Sequence, residues 1–294
     1  MRKSNYLPDQ PTPGTPPAKP GLKARWLFII LALTFLFVLM PFLFWQATWF
    51  GKPLNDAQLE KSLGDRQHPR EIQHGLSQLA DRILARDMLT RDSARSFYPE
   101  VVQIAQTGQD ELRLTAAWVM GQDNSVPDFH QELLQLIHDP NPMVRRNAAL
   151  ALIRFGDVSG REEIRSMLRA YAVTAPQAGG VDQRLKPGES INPGTLLGHI
   201  RTGNGSSELR SQIPGTIDHW LVPDKTSIAA GQPLLLVNPS TTEIWEALRA
   251  LYLIGEAQDL PTVDEFARGA GSIPPNVRQQ AELTAAAIRS HGAR

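Results

Sequence analysis

Residues 141–157 read NPMVRRNAALALIRFGD, and this stretch decides the fold. Asn141 followed by Pro142 is a helix-start signal, because asparagine caps helix N-termini and proline suits the first helical turn. The segment then carries small residues on one face and ends at Gly156. The pattern returns near the C-terminus, where residues 275–281 read PNVRQQA. A repeated helical unit therefore underlies the chain.

The spacing of equivalent alanines measures the repeat. Ala116 and Ala148 lie 32 residues apart, and Ala247 and Ala281 lie 34 apart. A period of roughly 33 residues with two helices per unit is typical of an α-solenoid, in which neighbouring helix pairs stack to bury one core. The sequence predicts a mostly α-helical protein with about five such pairs.

Individual helices are predicted from apolar residues spaced three and four apart. They are expected at residues 57–63, 69–86, 94–105, 110–120, 129–137, 142–155, 161–172, 242–254, 260–270 and 275–290.

The Pro-x-Val-Arg-x-x-Ala pattern at residues 142–148 and 275–281 resembles HEAT repeats, especially the short, PBS-type kind. The signatures of tetratricopeptide and ankyrin repeats, which have similar periods, are missing. The resemblance implies HEAT-like repeats over residues 53–172 and 241–294. It also implies a scaffold that binds other proteins.

The chain begins with a candidate membrane anchor. Residues 26–45 contain no charge, and about 20 apolar residues suffice to cross a hydrocarbon core. Trp26 and Trp45 mark the ends, as interface-seeking indoles do. We interpret residues 26–46 as a transmembrane helix. The alternatives are a cleaved signal peptide, whose apolar run is normally shorter, and a buried core helix, which would show a polar face.

Charge predicts the orientation of this anchor. Residues 1–25 are rich in proline and are expected to form a disordered tail. The tail has one acidic residue, Asp9, and five basic residues, which are Arg2, Lys3, Lys19, Lys23 and Arg25. The positive-inside rule then places the N-terminus in the cytoplasm and everything after Lys52 outside it. In a bacterium, this describes a single-pass inner-membrane protein with periplasmic C-terminal domains.

Residues 173–240 break the helical pattern. Glycine and proline recur at short intervals, with β-type runs at residues 195–201, 216–222 and 233–237. One set of residues recurs at the same offsets: Ile191, Gly194, Leu197 and Ile200 match Ile228, Gly231, Leu234 and Val237. Two similar halves predict a small all-β module with pseudo-twofold symmetry.

This segment resembles the biotinyl/lipoyl fold, or barrel-sandwich hybrid, through residues 185–189, 192–194, 211–217 and 229–234. The carriers of that family bear a modifiable lysine on the hairpin between the halves. Here residues 201–208 hold none, and no lysine occurs between Lys186 and Lys225. Periplasmic adaptor proteins of the haemolysin-secretion type share the fold without the lysine, but they insert a long helical hairpin where this chain has a short polar turn.

Helix 161–172 lacks a second helix, and helix 242–254 lacks a first one. We interpret them as one repeat whose connecting turn holds the β-module, because insertion is tolerated when the termini of the inserted module are close.

Composition and motifs exclude several functions. The 294 residues include 30 basic and 30 acidic ones, and this balance argues against a nucleic-acid partner. The absence of cysteine excludes disulfides and thiolate sites. The seven histidines show no metal-ligand spacing, and neither a Gly-x-Ser-x-Gly motif nor a phosphate loop occurs. We therefore expect no enzyme activity, no cofactor, no metal and no small-molecule substrate.

Five residues are candidates for binding a protein partner. Arg145, Arg146 and Arg154 could hold an anionic partner, although an arginine at this point of the repeat is more typical of contacts between units. His219 and Trp220 could form an exposed contact on the β-module.

Three functions follow as hypotheses. The first is a membrane-anchored, extracytoplasmic scaffold or adaptor that holds envelope proteins of a transport, secretion or respiratory assembly. The second is an enzyme similar to the HEAT-repeat lyases that attach chromophores. The third is a biotinyl or lipoyl carrier that uses a displaced lysine.

Overall fold

The computed structural model describes residues 22–45, 53–203, 205–269 and 273–291. It divides into two compact units, residues 1–53 and residues 54–294. Most of the expected tail, residues 1–21, lies outside the described residues. Residues 22–25 are helical, since leucine, lysine, alanine and arginine are all good helix formers.

Helix α1 (Leu22–Trp45) forms the described part of the first unit. Its window Trp26–Leu43 has a mean hydropathy of 2.6 and is long and apolar enough to span a membrane. The side chains of this window are mostly exposed, for example Phe37 at 82%, unlike those of a buried core helix. A signal sequence satisfies the same test of length and apolarity.

The second unit opens with helices joined by short turns. Their bounds are α2 (Asp56–Gly64), α3 (Pro69–Ile83), α4 (Met88–Ala94), α5 (Tyr98–Thr107), α6 (Asp110–Met120), α7 (Pro127–Leu136), α8 (Pro142–Arg154) and α9 (Arg161–Ser166). Asn55 and Gln58 form a capping box at the start of α2. Proline occupies the first turn of α3, α5, α7 and α8, where its missing N–H costs nothing.

The single helix expected over residues 94–105 is wrong. Helix α4 ends at Ala94, a 3₁₀ turn covers Arg95–Phe97, and α5 begins at Tyr98. Pro99 explains the break, because proline inside a continuous helix would remove a hydrogen bond and clash with the preceding turn. Helix α4 was not predicted, although Asp87 caps it by accepting a hydrogen bond from the Thr90 amide at 2.8 Å.

The helix expected over residues 161–172 is also too long. Helix α9 ends at Ser166, and Tyr171 already belongs to a strand. That strand pairs with residues 233–237, far along the sequence, so a long-range ladder overrides the local helical pattern.

Among the described residues, eight strands follow and form two four-stranded antiparallel sheets. They are β1 (Tyr171–Thr174), β2 (Gly179–Gln183), β3 (Ser190–Ile191), β4 (Leu196–Thr202), β5 (Gly205–Arg210), β6 (Gly215–Trp220), β7 (Ser227–Ile228) and β8 (Pro233–Pro239). One sheet has the order β1-β8-β6-β3, and the other has the order β5-β4-β2-β7.

The two sheets have matching strand orders. If four is added to each strand number, and counting continues from β8 to β1, the order β1-β8-β6-β3 becomes β5-β4-β2-β7. The turns that precede β4 and β8 also match, since Gly194 and Gly231 have φ angles of 83° and 78°. The internal repeat expected from the sequence is therefore present in the topology.

Strands β1 and β8 are neighbours, with Tyr171 opposite Val237. The chain thus enters and leaves the β-module, residues 171–239, at adjacent positions. Helices then resume as α10 (Thr241–Ile254), α11 (Leu260–Ala267) and α12 (Pro275–His291), with a 3₁₀ turn at Ala257–Asp259. Helix α9 packs against α10, as expected for one repeat interrupted by an insertion.

In the part of the chain that the structure describes, buried apolar residues form three clusters, and α8 borders all of them. Ala148 and Leu152 belong to the cluster of α2–α8. Ala149 and Ile153 belong to the cluster of the C-terminal helices. Met143 packs against the core of the β-module. The stretch at residues 141–157 therefore joins the three parts of the second unit.

Candidate functional site

A groove runs across the second helices of the repeats. Helices α6, α8, α10 and α12 contact one another in that order. Their exposed faces enclose a volume of about 590 Å³. The groove is lined by Trp118, Gly121, Gln122, Asn147, Leu150, Ala151, Ile153, Arg154, Glu246, Arg249, Ala250, Tyr252, Leu253, Gln280 and Leu283.

Four large apolar side chains of this groove are exposed. Leu253 is 62% exposed and Leu283 is 51% exposed, with Tyr252 and Trp118 above 40%. A shallower depression of about 390 Å³ continues from Tyr252, Leu253 and Leu283 along α12. Single exposed apolar residues are ordinary, but a contiguous set marks a contact surface.

Arg154 is the basic residue of the candidate set that lies in this groove. Its guanidinium donates to the Gly121 carbonyl at 3.1 Å and to the side-chain oxygen of Gln122 at 2.6 Å. These bonds tie α8 to the end of α6 and hold the charge at the groove wall. Binding of an anionic partner group by Arg154 stays a prediction.

Arg146 points away from the groove, into the interior. It is 3% exposed and forms an ion pair with Glu243 on α10. Its Nε lies 3.6 Å from a carboxylate oxygen of Glu163, and its guanidinium lies over the ring of Tyr171 at 5.8 Å. Arg146 thus has no exposed surface for a partner, and its contacts join α8, α9, α10 and the first strand of the β-module.

The Glu243 carboxyl shares this interior position. Burial raises the pKa of Glu243, while Arg146 and the hydrogen bonds from Ser240 oppose that rise without cancelling it. Glu243 also completes the capping box of α10 with Ser240. The carboxyl therefore both starts the helix and pairs with α8.

Arg145 makes contacts between the repeats. Its Nε lies 3.0 Å from a carboxylate oxygen of Glu163. Its Nη1 donates to the carbonyls of Asp139 and Pro140 at 2.8 and 3.1 Å. Arg113, 32 residues earlier, makes a two-pronged bond to Asp139 at 2.7 and 2.9 Å. An arginine at this repeat position thus connects neighbouring units. This is the structural role that the sequence pattern favoured.

His219 and Trp220 differ in exposure. The Trp220 indole packs against the β-module core and donates to the Leu185 carbonyl at 2.9 Å. The His219 side chain is about half exposed and lies 2.8 Å from a carboxylate oxygen of Asp218. Neither residue lines the groove of the helices, so the five candidates do not form one site.

Sequence reasoning missed the exposed apolar residues of α10 and α12. A signal for the first was present, since residues 250–254 read ALYLI. Five consecutive apolar residues cover more than one face of a helix, so some must be exposed. Trp118 lies in the groove, whereas Trp245 is partly buried against the C-terminal core.

Within the described ranges, no group of three or more histidine, aspartate or glutamate side chains is placed to hold a metal ion. The closest histidine–carboxylate contact of the helices joins His130 to Asp157 at 2.7 Å, and it links α7 to the turn after α8.

Comparison with known proteins identifies part of the chain. A family model for HEAT repeats matches residues 98–176, which cover α5–α9 and the first strand. HEAT repeats are therefore present in this stretch. A search among curated proteins found no match.

Proposed function

We propose that this protein is a membrane-anchored, extracytoplasmic scaffold whose helical groove binds an envelope protein. The supporting observation is the contiguous exposed apolar surface that Trp118, Tyr252, Leu253 and Leu283 form on α6, α10 and α12. The fitting partner is a protein segment that presents apolar side chains, with a polar or acidic group near Arg154.

The β-module extends this proposal. Its topology and internal repeat support the resemblance to biotinyl/lipoyl domains and to periplasmic adaptors. Between Lys186 and Lys225 it has no amine to attach biotin or lipoate, so we propose that it acts as a second docking module instead of a carrier.

The apolar α1 and the basic tail before it support the location. We propose a single-pass inner-membrane protein with a cytoplasmic N-terminus and periplasmic repeats. Because the chain has no cysteine, single cysteines report topology directly. A membrane-impermeant maleimide added to spheroplasts should label Ser290→Cys and not Ser4→Cys, and the reverse pattern would refute the orientation.

Binding in the groove can be tested with a photo-crosslinking residue at Leu253 in the anchored, full-length protein expressed in its native cell. A discrete crosslinked partner is expected at Leu253. The control is the same probe at Val158, which is 53% exposed and outside the groove. Leu283→Asp should abolish the crosslink while leaving the thermal melt unchanged. Equal crosslinking at Leu253 and Val158 would reject the groove as the binding site.

A further inference from the structure

A second exposed apolar patch lies at the other end of the repeats. Leu84, which follows α3, is 59% exposed, and Met88 and Leu89, which begin α4, are 74% and 85% exposed. Leu89 is the most exposed large apolar side chain of the second unit among its described residues. The three residues, here called the α3–α4 patch, lie within six positions of the chain and do not line the groove.

The α3–α4 patch lies near the start of the second unit. The Arg82 guanidinium, two residues before Leu84, donates to the Leu54 carbonyl and to the Asp56 carboxylate, the latter at 2.6 Å. The Leu54 amide in turn donates to the Gln78 side chain at 3.4 Å. Leu54 is therefore held against the last turns of α3, at the end that carries the patch.

The connection to the apolar helix is short. Seven residues, 46–52, join Trp45 to Pro53. A chain of that length spans at most about 28 Å when fully extended. A tether this short holds the second unit at high effective concentration near any membrane that α1 crosses.

Charge around the patch also suits a phospholipid surface. Arg86 and Arg91 are exposed and, within the described part of the chain, neither forms an ion pair. Two of the nearby acids are engaged, since Asp87 caps α4 and Asp92 lies 3.9 Å from Arg95, while Asp81 on α3 is exposed. Exposed apolar side chains flanked by arginines are the pattern of an interfacial membrane contact.

We propose that the α3–α4 patch rests in the bilayer interface, with Leu84, Met88 and Leu89 among the acyl chains and Arg86 and Arg91 at anionic headgroups. This inference rests on the proposed membrane anchor. It gives the scaffold two points of membrane attachment, which would fix the orientation of the repeats relative to the bilayer.

The test uses the full chain in phosphatidylcholine vesicles with and without phosphatidylglycerol. An environment-sensitive fluorophore is attached to single cysteines at Leu89, at Phe35 in α1, and at Val158 as an exposed control. Lipids with a nitroxide near the headgroup then quench any label in the interface, and lipids with a deeper nitroxide quench Phe35. We expect a blue shift and quenching at Leu89, neither at Val158, and weaker quenching of Leu89 after Arg86→Gln and Arg91→Gln in the anionic vesicles.

The outcomes separate this proposal from the anchor itself. Quenching at Phe35 without quenching at Leu89 overturns the interfacial contact and leaves the anchor standing. Loss of quenching at both positions refutes the anchor. A blue shift at Leu89 without lipid quenching means that protein, such as a second copy of the chain, covers the patch, and this also overturns the proposal.

Discussion

Arg146, on α8 before the β-module, and Glu243, on α10 after it, are 97 residues apart in sequence and form a buried ion pair. Their side chains are 3% and 6% exposed. The pair joins the last helix before α9 to the first helix after the β-module. A second bond of this kind joins Arg161 to Asp259 at 2.7 Å. Both ion pairs thus connect a helix that precedes the β-module to the segment that follows it.

Replacing Arg146 by methionine should destabilise the protein by about 3–5 kcal/mol at neutral pH, because the Glu243 carboxylate would be left buried without its cation. Thermal melts in mild detergent, followed by far-UV circular dichroism, would measure this. The control is Arg249→Met on α10, whose exposed pair with Glu246 at 3.6 Å should contribute about 1 kcal/mol or less. Equal effects would contradict the assignment.

The same variant should show a pH dependence of defined sign. The pKa of Glu243 is already raised by burial, and loss of Arg146 would raise it further. A carboxyl group whose pKa is higher in the folded than in the unfolded protein stabilises the fold when it is protonated. This contribution is complete below the pKa of the unfolded protein, about 4.3, and is lost as the pH rises through the pKa of the folded protein. The destabilisation by Arg146→Met should therefore be smaller at pH 5 than at pH 7. A pH-independent loss would argue that the cost is one of packing alone.

The close approach of α8 and α9 predicts a steric effect at Gly160. A Cβ atom at this position would lie 2.6 Å from both Cα and Cβ of Ala149. Gly160→Ala should therefore cost about 1–3 kcal/mol of stability through overpacking. Gly64→Ala is the matched control, since nothing lies within 4 Å of its added Cβ. Comparable melting temperatures for the two variants would show that α8 and α9 are less tightly packed.

Asp157 should contribute more to stability at neutral pH than in acid. Hydrogen bonds from Ser159, together with the His130 contact, lower its pKa, although burial acts in the opposite direction. A lowered pKa stabilises the fold above the unfolded value of about 3.9, and this contribution is lost as the pH falls through the folded value. Asp157→Asn should cost about 1 kcal/mol at pH 7 and less at pH 3 in urea unfolding. An equal cost at both values would contradict this.

The β-module should be removable without loss of the helical repeats. Val173 and Leu235 face each other across β1 and β8. An Asn-Gly turn in place of residues 174–234 would close them as a two-residue hairpin. Removing the module would expose the apolar side chains of Val173 and Leu235, so both are replaced by threonine. We expect a folded protein that keeps its helical circular dichroism signal and that still loses stability on Arg146→Met. An aggregated or unfolded product would show that the module is integral to the solenoid.

Local signals predicted much of the fold. Helix α6 has the bounds expected from its apolar spacing, residues 110–120, and Gly194 and Gly231 mark equivalent turns of the two β halves. These features depend on residues close in sequence. The end of α9 was mispredicted because Tyr171 is held by Val237, a partner that no local pattern reveals.

The candidate site was harder to predict than the fold. Arg145 and Arg146 are adjacent and chemically identical, yet a step of about 100° around the helix directs one to the repeat surface and the other to the interior. The groove depends on which faces of α10 and α12 stay uncovered after packing. The apolar run at residues 250–254 indicates that part of α10 is exposed, but tertiary structure alone shows that Leu253 and Leu283 are among the exposed residues.

The pairing of β1 with β8 has a kinetic consequence. It brings Tyr171 and Val237, 66 residues apart, next to each other, and so shortens the effective separation of Arg146 and Glu243 from 97 residues to about 31. Loop-closure entropy then opposes their encounter by about 1 kcal/mol less. Early folding of the β-module would therefore speed the docking of the C-terminal helices. The inserted module would thus promote the assembly of the repeat that it interrupts.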